Sequence, residues 1–99
     1  MSPVPDDALV LRRHGTPIVE EVEVDGETVV YDSRSGSLHL LDPVGSLIWA
    51  ALDGVTTLGE VSDELARVFG GRSSDVHADV TAFADRLLDL DLVDRVAGS

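Results

Sequence analysis

Cysteine is absent from this chain of 99 residues, and so is lysine. Without cysteine there is no disulfide framework, no thiolate nucleophile and no zinc ribbon, so stability must come from packing. Aromatic residues make up only 4%, which leaves the core to aliphatic side chains. No apolar run approaches the roughly 18 residues of a membrane span. The opening stretch from Met1 to Leu11 also lacks the basic-then-apolar layout of a secretory signal. A cytoplasmic protein without membrane contact is the expectation. Positive charge is scarce: seven Arg stand against nineteen Asp and Glu, a net charge of −12. That balance repels nucleic acid and anionic membrane and favours basic or neutral partners. The acidity is spread over both halves, which reads first as solubility rather than as a detached acidic tail.

What is present suits one modest domain. Residues 1–16, with Pro3, Pro5, Asp6 and Asp7, read as a weakly ordered entry segment, and residues 17–96 as the folded domain. From Ile18 to Asp32 the chain alternates and is β-branched, with Asp25-Gly26 suited to a two-residue type I′ turn. That turn pairs Val24 with Glu27, Val22 with Val29 and Glu20 with Tyr31. It gathers Ile18, Val22, Val24, Val29 and Tyr31 on one face, expected to be the core face. A second turn ending at Gly36 leads to a third strand, Ser37 to Leu41, whose Leu38 and Leu40 join the same face while His39 and Leu41 point away. On that expectation a proline at Leu40 would disturb the core, and one at His39 would test the strand edge cleanly.

At Asp42-Pro43 the period changes to 3.6, with Asp42 an N-cap and Pro43 at the first helical position. This helix runs to about Leu52 with Val44, Leu47, Ile48, Ala51 and Leu52 as its buried stripe, and Gly54 placed to end it. Thr57 and Glu60 form a capping box for a second helix with Leu58, Val61, Leu65 and Val68 inward, closed by Gly70-Gly71. Ser74 is expected to cap a third, longer helix with Val76, Val80, Phe83, Leu87 and Leu90 on one face. Three strands followed by three helices make an α+β fold, a winged helix-turn-helix-like arrangement of a three-stranded antiparallel sheet followed by three helices.

An enzyme lacks its parts here. His14, His39 and His77 have no metal-ligand spacing, Gly70-Gly71 lacks the lysine of a phosphate loop, and no nucleophile elbow is present. Asp79, Asp85 and Asp89 read as a solvated helix face. Neither a catalytic residue, a metal ligand nor a cofactor is therefore expected. The winged arrangement brings DNA to mind, yet the third helix region from Asp75 to Asp91 carries five Asp and the single Arg86, which phosphates would repel. A DNA-binding regulator is the weaker alternative. The third strand suggests another use. Ser37-Leu38-His39-Leu40-Leu41 has no Pro, Lys or bulge to blunt its edge. Such an edge accepts an extended peptide as an added strand; equally, its side chains pack under a helix or the edge pairs with its twin.

Between Val29 and Val93 the chain resembles the PqqD family of leader-peptide-binding domains, also called RiPP recognition elements, which serve ribosomally made, modified peptides. The resemblance rests on four features in order: the Asp32-x-Arg34-x-Gly36 turn; Leu41-Asp42-Pro43-x-Gly45 leading to Ile48-Trp49; Leu52 to Gly54; and Ala78-Asp79-Val80 with Phe83. It implies a fold without activity or cofactor. The leader of a precursor would lie beside strand three and rest on helix three while a separate modifying enzyme or leader peptidase acts. Carried onto this chain, the peptide-binding residues would be Ser37, Leu38, His39, Leu40 and Leu41 on the strand and Asp79, Val80, Phe83, Ala84 and Leu87 on the helix. Asp79 would meet a basic leader residue. By periodicity Val80, Phe83 and Leu87 are also core residues, and Trp49 reads as packing rather than peptide contact. The turn together with Ile48-Trp49 is most similar to the stand-alone proteins that present lasso-peptide precursors to a leader protease; the peptide chaperone of pyrroloquinoline quinone synthesis is the runner-up.

Overall fold

The computed structural model describes residues 8–70 and 72–96, save the side chains of residues 73 and 74. Six strands and three helices follow in the order β1 (Val10–Arg13), β2 (Val19–Val24), β3 (Glu27–Asp32), β4 (Ser37–Leu41), α1 (Pro43–Ala51), β5 (Asp53–Thr57), α2 (Leu58–Phe69), α3 (Ser73–Asp89) and β6 (Val93–Arg95). The expected α+β arrangement, a three-stranded antiparallel sheet followed by three helices, is β2-β3-β4 with α1 to α3. A second sheet, ordered β5-β1-β6, was not legible. Its strand β1 lies within the segment read as weakly ordered, and its Leu11 is wholly buried. The segment is anchored by central pairing to both partners, with Leu58 N–H to Leu9 O and His14 N–H to Leu92 O beyond the strands. Pro3, Pro5, Asp6 and Asp7 lie outside the described residues.

The hairpin turn and register are as expected: Asp25 and Gly26 both take positive φ, and Val24↔Glu27, Val22↔Val29 and Glu20↔Tyr31 are paired. The face is inverted. Val19, Val30 and Leu41 enter the core, with Thr28 and Asp32 buried beside them, while Val22, Val24, Tyr31, Leu38 and Leu40 are exposed. Two polar residues of the inner face, Glu21 and Asp32, have side-chain partners. Trp49 donates its indole N–H to Glu21 at 2.8 Å, and Arg34 Nε bonds Asp32 at 3.0 Å. Satisfied groups of this kind bury at little cost. The Val30–Val19–Leu41 cluster then packs on α1.

In α1, Asp42 caps Gly45 N–H at 2.7 Å with Pro43 in the first turn. Its buried face is Gly45, Ser46, Ile48 and Trp49; of the expected stripe, Ile48 and Leu52 are buried and Ala51 partly so, while Val44 and Leu47 are exposed. The capping box Thr57–Glu60 opens α2, and Gly70 closes it in the left-handed region; Gly71 lies outside the described residues. Leu58, Val61 and Leu65 are buried, but Val68 is not. Helix α3 begins one residue before Ser74, with Arg72 at the N-cap position and no side-chain cap bond. From it Val80, Ala84 and Leu87 are buried, while Leu90 is exposed.

Candidate functional site

The sheet β2-β3-β4 has two edges. Edge β2 carries Glu20, Glu21 and Glu23, charges that discourage further pairing. Edge β4 carries no such charge and reads Ser-Leu-His-Leu-Leu. In an antiparallel hairpin closed by a two-residue turn, hydrogen-bonded and non-bonded pairs alternate outward from the turn. Glu27, Val29 and Tyr31 therefore turn their polar backbone to β2, and Thr28, Val30 and Asp32 to β4. The residues opposite the latter three are Leu41, His39 and Ser37. The N–H and C=O groups of Leu38 and Leu40 consequently face the open edge, available to an added strand.

Beyond its pairing with β3, β4 packs on α1, and a groove opens between β4 and α3. A cavity of about 240 Å³ is lined by Leu38, His39, Leu40 and Leu41 from the strand, Phe83, Arg86 and Leu87 from α3, and Leu90 and Leu92 just beyond it. It adjoins a cleft of about 290 Å³ between α1 and α3, where Asp42, Asp79 and Arg86 bring charge to walls formed by Val44, Gly45, Ile48, Ala82 and Phe83. Phe83 and Arg86 belong to both. Seven of the ten expected peptide-binding residues thus line this continuous depression: Leu38, His39, Leu40, Leu41, Asp79, Phe83 and Leu87. Val80 and Ala84 are core residues instead, as period predicts for Val80, and Ser37 lies outside the lining. Arg86, Leu90 and Leu92 were not anticipated. Arg86 is legible only as the one arginine in an acidic helix, and Leu92 requires the chain reversal after α3.

Two local devices hold the groove. At the end of β3 the Asp32-x-Arg34-x-Gly36 turn forms a clasp. Arg34 bonds Asp32 through Nε at 3.0 Å and through its own backbone N–H at 3.0 Å, then reaches Asp91 Oδ2 at 2.9 Å and the Asp91 carbonyl at 2.6 Å. It therefore ties the β3–β4 turn to the loop after α3, where Asp91 stands between the groove residues Leu90 and Leu92. The Arg34 hydrogen bond holds the Asp32 carboxyl below its usual range, and Asp32 in turn raises the Arg34 guanidinium. The second device is Gly45, whose missing side chain leaves room for the Phe83 ring: a Cβ there would lie 3.3 Å from it. The close approach is of α1 to α3.

The histidines are placed separately. His77 Nε2 lies 3.2 Å from Asp63 Oδ1. His14 Nε2 lies 3.4 Å from Asp94 and 3.7 Å from Asp91, so spacing hidden in the sequence is closed by the β1–β6 pairing. Their three donor atoms fall within 4.8 Å of one another, with Asp91 already neutralised by Arg34.

This hairpin, clasp and helix arrangement coincides with a known pattern: the family model for coenzyme PQQ synthesis protein D (PqqD) matches residues 27–93. The chain belongs to the PqqD family. The PqqD match begins at β3 and ends at the first residue of β6, so it contains the clasp, α1 to α3 and the whole groove. The solved structure of TbiB1 in complex with the TbiA(beta) leader peptide superposes with a TM-score of 0.76 at 24% identity, over 88% of this chain and 99% of TbiB1, and has the same fold. No curated protein matches the chain. Among the described residues, no helix is long and apolar enough to cross a membrane.

Proposed function

We propose that this PqqD-family chain is a non-catalytic leader-peptide-binding protein. It holds the leader of a ribosomally made precursor as a fourth strand beside β4 and presents the precursor to a separate modifying enzyme or leader peptidase. The carrying observation is the unblunted β4 edge, with Leu38 and Leu40 directing backbone groups outward, next to a groove walled on α3 by Phe83, Arg86 and Leu87. The TbiB1 fold, described with a leader peptide, supports the same use. Asp79 and Arg86 bracket the adjoining cleft with opposite charges, suited to a leader carrying both signs. The Asp32-x-Arg34-x-Gly36 turn with Ile48-Trp49 favours lasso-peptide biosynthesis. The family description, coenzyme PQQ synthesis, favours a second reading in which the same groove serves a pyrroloquinoline quinone precursor.

The test is an amide NMR titration with the leader segment of a precursor encoded beside the gene, with a random DNA duplex in parallel. Saturable shifts confined to Leu38–Leu41 and to Asp79–Leu92 are expected. Shifts with the duplex alone would overturn the proposal and return the winged fold to nucleic acid.

A further inference from the structure

A β-sheet whose strands carry apolar residues on both faces normally buries both. The β2-β3-β4 sheet buries one. On its outer face Val22, Val29 and Leu40 lie side by side across three strands, Tyr31 and Leu38 form the next row, and Val24 extends the first strand. Val22, Val24, Leu38 and Leu40 are 54% to 68% exposed. Scattered apolar residues are ordinary on a surface, but adjacent rows spanning a whole sheet mark a face that meets a partner.

Charge selects the partner. Glu20 and Glu27 share this outer face, in register with Tyr31 and Val24. Neither is ion-paired to a described residue. Two copies packed face to face would bring these carboxylates together on chains each carrying −12. An apolar patch rimmed by Arg or Lys would neutralise them instead. Position points the same way. Leu38 and Leu40 belong both to this face and to the groove wall, so a strand added at β4 would extend the outer face without a break. A protein seated there would contact the chain and the bound leader together.

We infer that the outer face of β2-β3-β4 is the docking surface for the maturation enzyme, which meets it with an apolar patch bordered by basic residues. This rests on the leader-binding reading and adds where the enzyme sits.

The test uses the whole chain, its precursor leader and the purified peptidase or modifying enzyme encoded beside its gene. Val22→Thr with Val24→Thr keeps β-branched shape in β2, the strand farthest from the leader edge. Leader affinity should stay within about twofold, while affinity for the enzyme should fall tenfold or more. Glu20→Lys with Glu27→Lys should weaken the enzyme complex and flatten its salt dependence. Equal enzyme affinity in the threonine variant, or no binding of the enzyme to the unaltered chain, would overturn the inference. So would an unaltered chain that sediments as a dimer which the threonine variant dissociates, because a second copy would then own the face. A leader that fails to bind the unaltered chain would sink the leader-binding reading itself, whatever the enzyme does.

Discussion

At Gly45 an added Cβ would lie 3.0 Å from Asp42 Oδ1 and 3.3 Å from the edge of the Phe83 ring. Alanine in place of a helical glycine gains about 1 kcal/mol of propensity. Crowding a packed contact costs about 1–3 kcal/mol, and here it also presses on the cap oxygen that receives Gly45 N–H. Gly45→Ala should therefore lower stability by about 1 kcal/mol, since the strained cap and ring outweigh the propensity gain. It should also weaken leader binding through the displaced Phe83. Urea midpoints followed by the single tryptophan, buried Trp49, decide it; an unchanged midpoint would mean the ring swings aside freely. Asp79 is a different kind of residue, exposed on the cleft wall. Asp79→Asn should weaken leader binding by about 1 kcal/mol or less, as exposed ion pairs do. The loss should vanish in high salt, and an unchanged dissociation constant at low salt would remove Asp79 from recognition.

Strand β4 turns on which residues point where. Leu40 has its side chain in solvent and its N–H toward the open edge, so Leu40→Pro removes one outward donor and leaves the β3 ladder whole. Circular dichroism should be unchanged and leader affinity should fall about tenfold, roughly 1.4 kcal/mol. His39→Pro cuts a bond to Val30 and should cost about 1–3 kcal/mol of stability, because a buried ladder group loses its partner. This reverses what alternation alone predicts, and the reason bears on how much sequence can say. The Asp25-Gly26 turn sets the register through local geometry, so every expected β2–β3 pair is found. Which face is buried depends on what covers it. The outer face holds more large apolar side chains, yet the inner face wins because Trp49, distant in sequence, satisfies Glu21 and covers that face, while Arg34 in the turn after β3 satisfies Asp32. The same limit hid β1, β5 and β6, short strands whose pairing joins the two ends of the chain to its middle. Helix starts at Asp42 and Thr57 were legible because caps are local signals. The groove was half legible: its strand wall follows from the missing edge guards, while Arg86 and Leu92 belong to it only through the fold.

At the scale of the whole molecule two charge effects oppose each other as pH falls. The net charge of −12 sets up self-repulsion that protonation relieves, so acidification from neutrality toward the carboxylate range should first raise stability slightly. Against this stand carboxylates that folding holds ionised. Asp32 is lowered by its bonds to Arg34, and Asp53 by the backbone N–H groups of Thr56 and Val55. A depressed folded value contributes stability that is present above the unfolded value, near 4 for Asp, and is lost as pH falls through the folded value. Arg34 is raised from a value already beyond the working range, so it adds nothing to this dependence. The thermal midpoint should accordingly pass through a maximum near pH 5 and drop below about pH 4. The drop should be cooperative with loss of the groove, since the Asp32–Arg34–Asp91 clasp joins the hairpin sheet to the loop that leads into β6. In Asp32→Asn the neutral-pH midpoint should be lower and the acid limb shallower, because one of the groups that drives it no longer titrates. Added salt should separate the two effects: it screens the diffuse repulsion and lifts the midpoint at pH 7, while leaving the short, directed Asp32–Arg34 contacts largely in place. An acid limb as steep in Asp32→Asn as in the unaltered chain would show that acid unfolding runs through carboxylates other than the clasp.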